Sequence, residues 1–128
     1  MEIQRVNPDA LAKPLAAYSQ VVRAGSIVTT AGLVPLDSDG NLVGEGDIDA
    51  QVRKTLENLV IALGAVGATL DDVIKTNLYL ADMGDYANVN VIYNEFFEKS
   101  RPARAAVQAP LVKPTILFEM DAMAVVGD

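Results

Sequence analysis

The stretch Val73-Ile74-Lys75-Thr76-Asn77-Leu78-Tyr79-Leu80 decides the fold, because it reads as a strand with helical periodicity on either side. It is the clearest strand in the chain, and Ser26–Leu33 is another, rich in β-branched residues that suit a pleated, half-buried surface. Upstream, between 47 and 66, apolar residues recur at 48, 52, 56, 59, 60, 63 and 66. That is one stripe of an amphipathic helix, and Gly67 stops it. Downstream, Asp82 caps a second predicted helix over 83–97, with its stripe at 86, 89, 93, 96 and 97. Three strands are expected before the first helix, at 2–6, 18–24 and 26–33, and two after the second, at 103–109 and 116–126. Asn7-Pro8 ends the first strand, Gly25 turns the second into the third, and Asp37-Ser38-Asp39-Gly40 is a strong turn signal. Pro110 and Pro114 bracket the last loop, since proline cannot donate to a sheet ladder. The order β-β-β-α-β-α-β-β places two helices on one face of a mixed sheet, an α+β arrangement.

A chain of 128 residues is expected to form one domain, 1–128. Its apolar content of 51% includes only 5% aromatic residues, which suggests tight aliphatic packing or an aliphatic surface shared with another subunit. Two helices cover one sheet face. The other face, on which Val28, Val107 and Leu117 are expected, has little chain left to cover it, and an exposed apolar face marks association. No run approaches the roughly 18 apolar residues of a membrane span, and Met1-Glu2-Ile3-Gln4-Arg5 is no signal peptide. The expectation is a cytoplasmic protein without a membrane partner. A formal charge of −7 with Lys and Arg scattered singly, apart from Arg53-Lys54, counts against a nucleic-acid partner, which needs a basic face. Arg53 and Lys54 share a predicted helix with Glu57 and read as a solvated face.

With no His and no Cys, few residues can carry chemistry, and no metal or cofactor is expected. Two segments stand out. In Arg101-Pro102-Ala103-Arg104-Ala105-Ala106-Val107-Gln108, Arg104 sits at the mouth of a short apolar strand. Its guanidinium is a rigid fork matched to a carboxylate, and its alternative is an edge-strand arginine in solvent. In Phe118-Glu119-Met120-Asp121-Ala122-Met123-Ala124, Glu119 is a carboxylate inside a strand that otherwise reads as core. A half-dry glutamate can hold and polarise a water, and its alternative is an outward polar residue. Asp121 shares the face of Glu119 and is either a second acid or a member of a polar rim. Arg101 reads as loop surface.

The order P-A-R-x-x-V followed by F-E-x-D-A-x-A resembles the RidA/YjgF family of small imine deaminases. The resemblance runs through Tyr18-Ser19-Gln20, Thr30-Ala31-Gly32-Leu33-Val34-Pro35, the segment 51–59, Val73–Leu80, Val89-Asn90 and Tyr93-Asn94-Glu95-Phe96-Phe97. It implies the chorismate-mutase-like (YjgF-like) fold and a homotrimer around a barrel-like core. It assigns Arg104 to the substrate carboxylate and Glu119 to the attacking water. Tyr18 would line the cleft from a neighbouring subunit, Asn90 would lie near the site, and Gly32 and Ala106 would contribute main-chain groups. The chain has Ala31 and Leu33 around the glycine, where relatives carry a hydroxyl residue and often a glutamine, and Ala106 where they often carry a cysteine. The cleft is therefore expected to be more apolar. The implied reaction is cofactor-independent hydrolysis of 2-enamine or 2-imine acids, such as 2-iminopropanoate and 2-iminobutanoate, to 2-oxo acids and ammonia. Two alternatives are an aminomuconate-type deaminase and a non-catalytic trimer that binds small ligands or protects other proteins.

Overall fold

The computed structural model describes residues 1–127. Six strands and two α-helices follow one another as β1 (Ile3–Val6), β2 (Val21–Ala24), β3 (Ile27–Thr30), α1 (Ile48–Gly64), β4 (Val73–Leu80), α2 (Tyr86–Phe97), β5 (Ala103–Gln108) and β6 (Phe118–Val125). Single 3-10 turns precede β4 and α2. The strands make one sheet of order β1-β2-β3-β6-β4-β5. The β4–β5 pair is parallel and the other neighbours are antiparallel, so the sheet is mixed. The element order and the α+β class agree with the sequence reading.

Local chemistry fixes the helix ends. Asp47 caps α1 by accepting from the Ala50 N–H at 3.1 Å, satisfying one of the orphan amides of the first turn. Past the other end, Gly67 takes φ +81° and lets the Ala68 N–H return to the Leu63 carbonyl at 2.9 Å. The stripe on α1 packs Val52, Leu56, Leu59 and Leu63 into the core, but Val60 is left 45% exposed. Leu59 and Val60 are about 100° apart around the helix, so only one of two neighbours can sit at the centre of the stripe. Tyr86, also placed in a stripe by the sequence, is exposed at the first turn of α2. Arg53 pairs with Glu95 of α2 at 2.9 Å, an exposed bridge that contributes little to stability.

Strand parity then sorts the sheet. Phe118, Met120, Ala122 and Ala124 of β6 join Leu78 and Leu80 of β4 in the core beneath the helices. The alternate residues face the other way. Val28 belongs to the covered face, contrary to the sequence reading, because the β3–β6 register sets it opposite the buried Ala124. Leu117 precedes β6 and is half-buried. The uncovered face carries Val107 as expected and is otherwise apolar through Ile27, Met123 and Val125, the four being 42–52% exposed. Every strand except β4 is shorter than its expected range. β2 begins at Val21, because the Gln20 N–H is taken by Asn7 Oδ1 at 2.9 Å, leaving Tyr18 in a loop. β3 ends at Thr30, and Leu33 makes only an isolated bridge to Met120. Among the described residues, no helix is long and apolar enough to cross a membrane.

Candidate active site

The end of β3 builds one half of the site. Thr29 is the last β3 residue paired with β6, opposite Met123. At the next level the Thr30 hydroxyl takes over, accepting from the Ala122 N–H at 3.0 Å and donating to the Ala31 carbonyl at 2.8 Å. The chain leaves the ladder there and rejoins it where Leu33 and Met120 exchange N–H···O bonds of 2.7 and 3.0 Å. Gly32 is thereby pressed against the Glu119 side chain. A Cβ on Gly32 would lie 2.9 Å from the Glu119 Cδ and closer still to its Oε2. Glycine permits this close approach; a larger residue here would displace the Glu119 carboxyl, which sits at the end of a flexible side chain. Asn58 of α1 steadies the next turn, donating to the Val34 and Leu36 carbonyls at 2.9 and 3.0 Å.

Glu119, Gly32 and Tyr18 line one cavity of about 430 Å³. Ala31, Leu33, Leu11, Leu15 and Val112 supply apolar wall, and Lys13 is the one cation on the lining. The Glu119 carboxyl is held above the usual carboxylate range, first by burial and then by the charge of Asp121. Asp121 itself is clamped from β4, accepting from Asn77 Nδ2 and the Tyr79 hydroxyl, both at 2.8 Å. That hydrogen bond, with burial behind it, pushes the Tyr79 phenol up to about 12, so Tyr79 remains a donor at any ordinary pH.

Arg104 and Asn90 lie elsewhere. They line a second cavity, of about 410 Å³, with Tyr93, Asn94, Glu98 and Arg101. Arg104 pairs in register with Thr76, whose side chain is buried under the helices, so Arg104 projects to the helix side at the β5 edge. Its Nη2 donates to the Tyr86 hydroxyl at 2.7 Å, and its guanidinium carbon lies 4.8 Å from the Tyr93 ring centroid and 5.4 Å from that of Tyr86. The two rings orient the fork and leave its remaining donors free for an anion. Tyr93 is held in turn by a 2.8 Å hydrogen bond to Thr76, and burial raises its phenol. The Asn90 Oδ1 is buried with no partner among the described residues. Ala106 packs on the core beside Leu78 on the edge strand and does not line this cavity.

The candidate residues thus fall into two groups within one chain. Tyr18, Gly32 and Glu119 share one cavity; Asn90 and Arg104 share another. Sequence reasoning missed Tyr86 and Tyr93 as supports of Arg104, and Asn77 and Tyr79 as the clamp on Asp121. The α2 stripe contained both former residues, whereas nothing short of the β4–β6 register pairs Asn77 with Asp121 and Tyr79 with Glu119. Among the described residues, no group of three or more His, Cys, Asp or Glu could hold a metal ion.

Comparison with known proteins shows the family. Residues 8–126 match the family model described as Endoribonuclease L-PSP. The chain is 42% identical over 112 residues to a RutC family protein of Pyrococcus horikoshii, covering 88% of this chain and 89% of that one. It is 40% identical over 117 residues to the 3-aminoacrylate deaminase RutC of Acinetobacter baylyi, covering 91% and 93%. The crystal structure of E. coli TdcF with bound serine superposes with a TM-score of 0.88 at 28% identity, covering 97% of this chain and 99% of that one.

Proposed function

The chain belongs to the YjgF/RidA (endoribonuclease L-PSP) family, and from that premise we propose that it hydrolyses reactive 2-enamine and 2-imine acids to 2-oxo acids and ammonia. The observation that carries this reading is the division of the site. A half-buried acid with a raised pKa faces one cavity, and an arginine fork stacked on two tyrosines faces another. A second copy of the chain could bring its Arg104 cavity against the first copy's Glu119 cavity. The uncovered apolar face of the sheet supports such an association, and the assembly proposed is a homotrimer with three clefts, each built by two subunits.

In such a cleft Arg104 grips the substrate carboxylate, and Asn90 lines the same cavity. An enamine substrate first tautomerises to the imine, which carries the electrophilic carbon. Glu119 takes a proton from water as the new O–C2 bond forms and the C=N electron pair moves to nitrogen, and the carboxyl passes that proton to the nitrogen to give the carbinolamine. It then takes the hydroxyl proton as C=O forms and delivers it to the nitrogen as the C2–N bond breaks, giving the 2-oxo acid and ammonia. A raised pKa suits a group that must both accept and donate near neutral pH. The substrate hydrolyses unaided in water, so holding it against an oriented water supplies much of the acceleration. The 3-aminoacrylate deaminase activity named for the A. baylyi relative is the same chemistry, and the serine in TdcF is an α-amino carboxylate. The formal charge of −7 weighs against the polyanionic substrate in the family description.

The test is coupled turnover. An amino-acid oxidase generates 2-iminopropanoate or 2-iminobutanoate in the presence of semicarbazide, which traps free imine. The protein is expected to lower semicarbazone formation in proportion to its concentration; an unchanged trapping rate with both imines overturns the proposal.

A further inference from the structure

We propose that Arg101 determines substrate specificity by receiving a second carboxylate, so that the preferred substrate is the imine of a 2-oxo dicarboxylic acid. This inference rests on the reading of Arg104 as the grip on the first carboxylate. The cavity that Arg104 lines is also lined by Arg101, by the amides of Asn90 and Asn94, and by a single acid, Glu98. In a chain of net charge −7, two guanidinium groups against one carboxylate make a local positive site that the overall charge does not anticipate.

The backbone presents Arg101 in an unusual way. It is the only non-glycine residue with positive φ, at 46°, among the described residues. An L-residue enters this left-handed region at a steric cost, and the arrangement persists only where the surroundings enforce it. Three features enforce it here. The Arg101 N–H closes the end of α2 on the Phe97 carbonyl at 2.9 Å. Its Nε donates to the Glu98 carbonyl at 2.9 Å. Pro102 follows, which disfavours the right-handed helical conformation at position 101. The Nε bond fixes the base of the guanidinium and leaves both terminal nitrogens without a protein partner among the described residues. Three residues of chain separate Arg101 from Arg104, at most about 11 Å between their Cα atoms. Two arginine forks within that span can engage the two ends of one short dicarboxylate, each through paired N–H···O bonds. Arg104 is fixed by aromatic stacking and Arg101 by its carbonyl bond, so the two forks are preorganised at different depths of the same cavity. Arg101 is exposed and Arg104 is half-buried.

The experiment uses two five-carbon 2-oxo acids that differ only in the second carboxylate, 2-oxoglutarate and 2-oxopentanoate. Their binding to the wild-type protein, Arg101→Asn and Arg101→Lys is measured by calorimetry. Asparagine tolerates the left-handed conformation, so Arg101→Asn removes the fork without disturbing the turn. The wild type is expected to bind 2-oxoglutarate at least about tenfold more tightly, as a charged hydrogen-bonded contact implies. Arg101→Asn should erase that preference while leaving 2-oxopentanoate binding unchanged, and Arg101→Lys should restore part of it. Equal binding of the two acids by the wild type, or a preference that survives in Arg101→Asn, overturns the assignment of Arg101 alone. Failure of the wild type to bind either acid overturns the Arg104 grip, and this proposal with it.

Discussion

Arg104 and Glu119 project from opposite faces of the same sheet, on the two strands that flank β4. Arg104 is level with Thr76 and Ala122, both on the covered face, whereas Glu119 is level with Tyr79 and Val107 on the open face. No rotamer change brings the two side chains together within one chain. A catalytic site that needs both must therefore form between copies. Mixed assemblies test this directly. Arg104→Ala and Glu119→Gln proteins, each inactive alone, should regain imine hydrolysis when dissociated and reassembled together, because some clefts then pair an intact arginine with an intact glutamate. No recovery from a verified mixed assembly, or a monomer by sedimentation at micromolar concentration, would contradict the composite cleft.

Arg104 makes the strongest single contribution expected of any side chain. Arg104→Ala should cost on the order of 2–5 kcal/mol in transition-state binding, the usual result of losing a charge-assisted fork. Arg104→Lys should recover little, since an ammonium offers neither the fork nor planar stacking on Tyr93. Tyr86→Phe removes only the 2.7 Å hydrogen bond that orients Nη2 and should have a smaller effect, within about tenfold. Steady-state kinetics with 2-iminobutanoate rank the three variants; near-normal turnover by Arg104→Ala is the result that excludes the grip.

Gly32 separates a conformational from a steric requirement. Its φ is not in the left-handed region, so alanine meets no backbone penalty there. A methyl group would nevertheless collide with the Glu119 carboxyl, and the flexible side chain would have to swing away. Gly32→Ala should leave the melting temperature close to wild type and reduce kcat about a hundredfold, the scale of a 1 Å misplacement of a catalytic group. Unimpaired kcat would show that the observed position of Glu119 is not the working one.

Much of the fold was legible because it rests on local signals. The 3.6-residue stripe of α1, the Gly67 stop and the run Val73–Leu80 each declare their element without reference to distant chain. Asp37-Ser38-Asp39-Gly40 likewise forms the expected turn, with Gly40 at φ +84°. The errors arose where a distant partner decides. Val28 faces the helices because β3 pairs with β6 in one register, and a shift of one residue would have reversed it. β2 starts late because Asn7 captures the Gln20 N–H. The same rule governs the site. Residue type and motif single out Arg104 and Glu119 as candidates, but their opposite faces depend on strand parity across β4, which no short segment encodes.

Glu119 yields the most discriminating prediction, because its two possible roles differ in both kinetics and pH dependence. As the group that activates water, Glu119→Gln should retain affinity for a 2-oxo acid and lose about a hundredfold or more in turnover. Its effect on stability has the opposite sign. Burial and Asp121 raise the Glu119 pKa above its ordinary value of 4.5. Below that value the carboxyl is protonated both folded and unfolded, and folding carries no penalty. As pH rises through the raised folded value, the native state must ionise a half-buried group beside another acid, so stability falls. The neutral amide escapes this penalty. Glu119→Gln should therefore melt higher than wild type at pH 7.5, with the difference vanishing towards pH 4. Thermal unfolding of both proteins at the two pH values, paired with calorimetry and ammonia release, decides the matter. A variant that loses stability, affinity and turnover together would place Glu119 among the supports of the cavity, and the water-activating role would pass to Asp121 for test by Asp121→Asn.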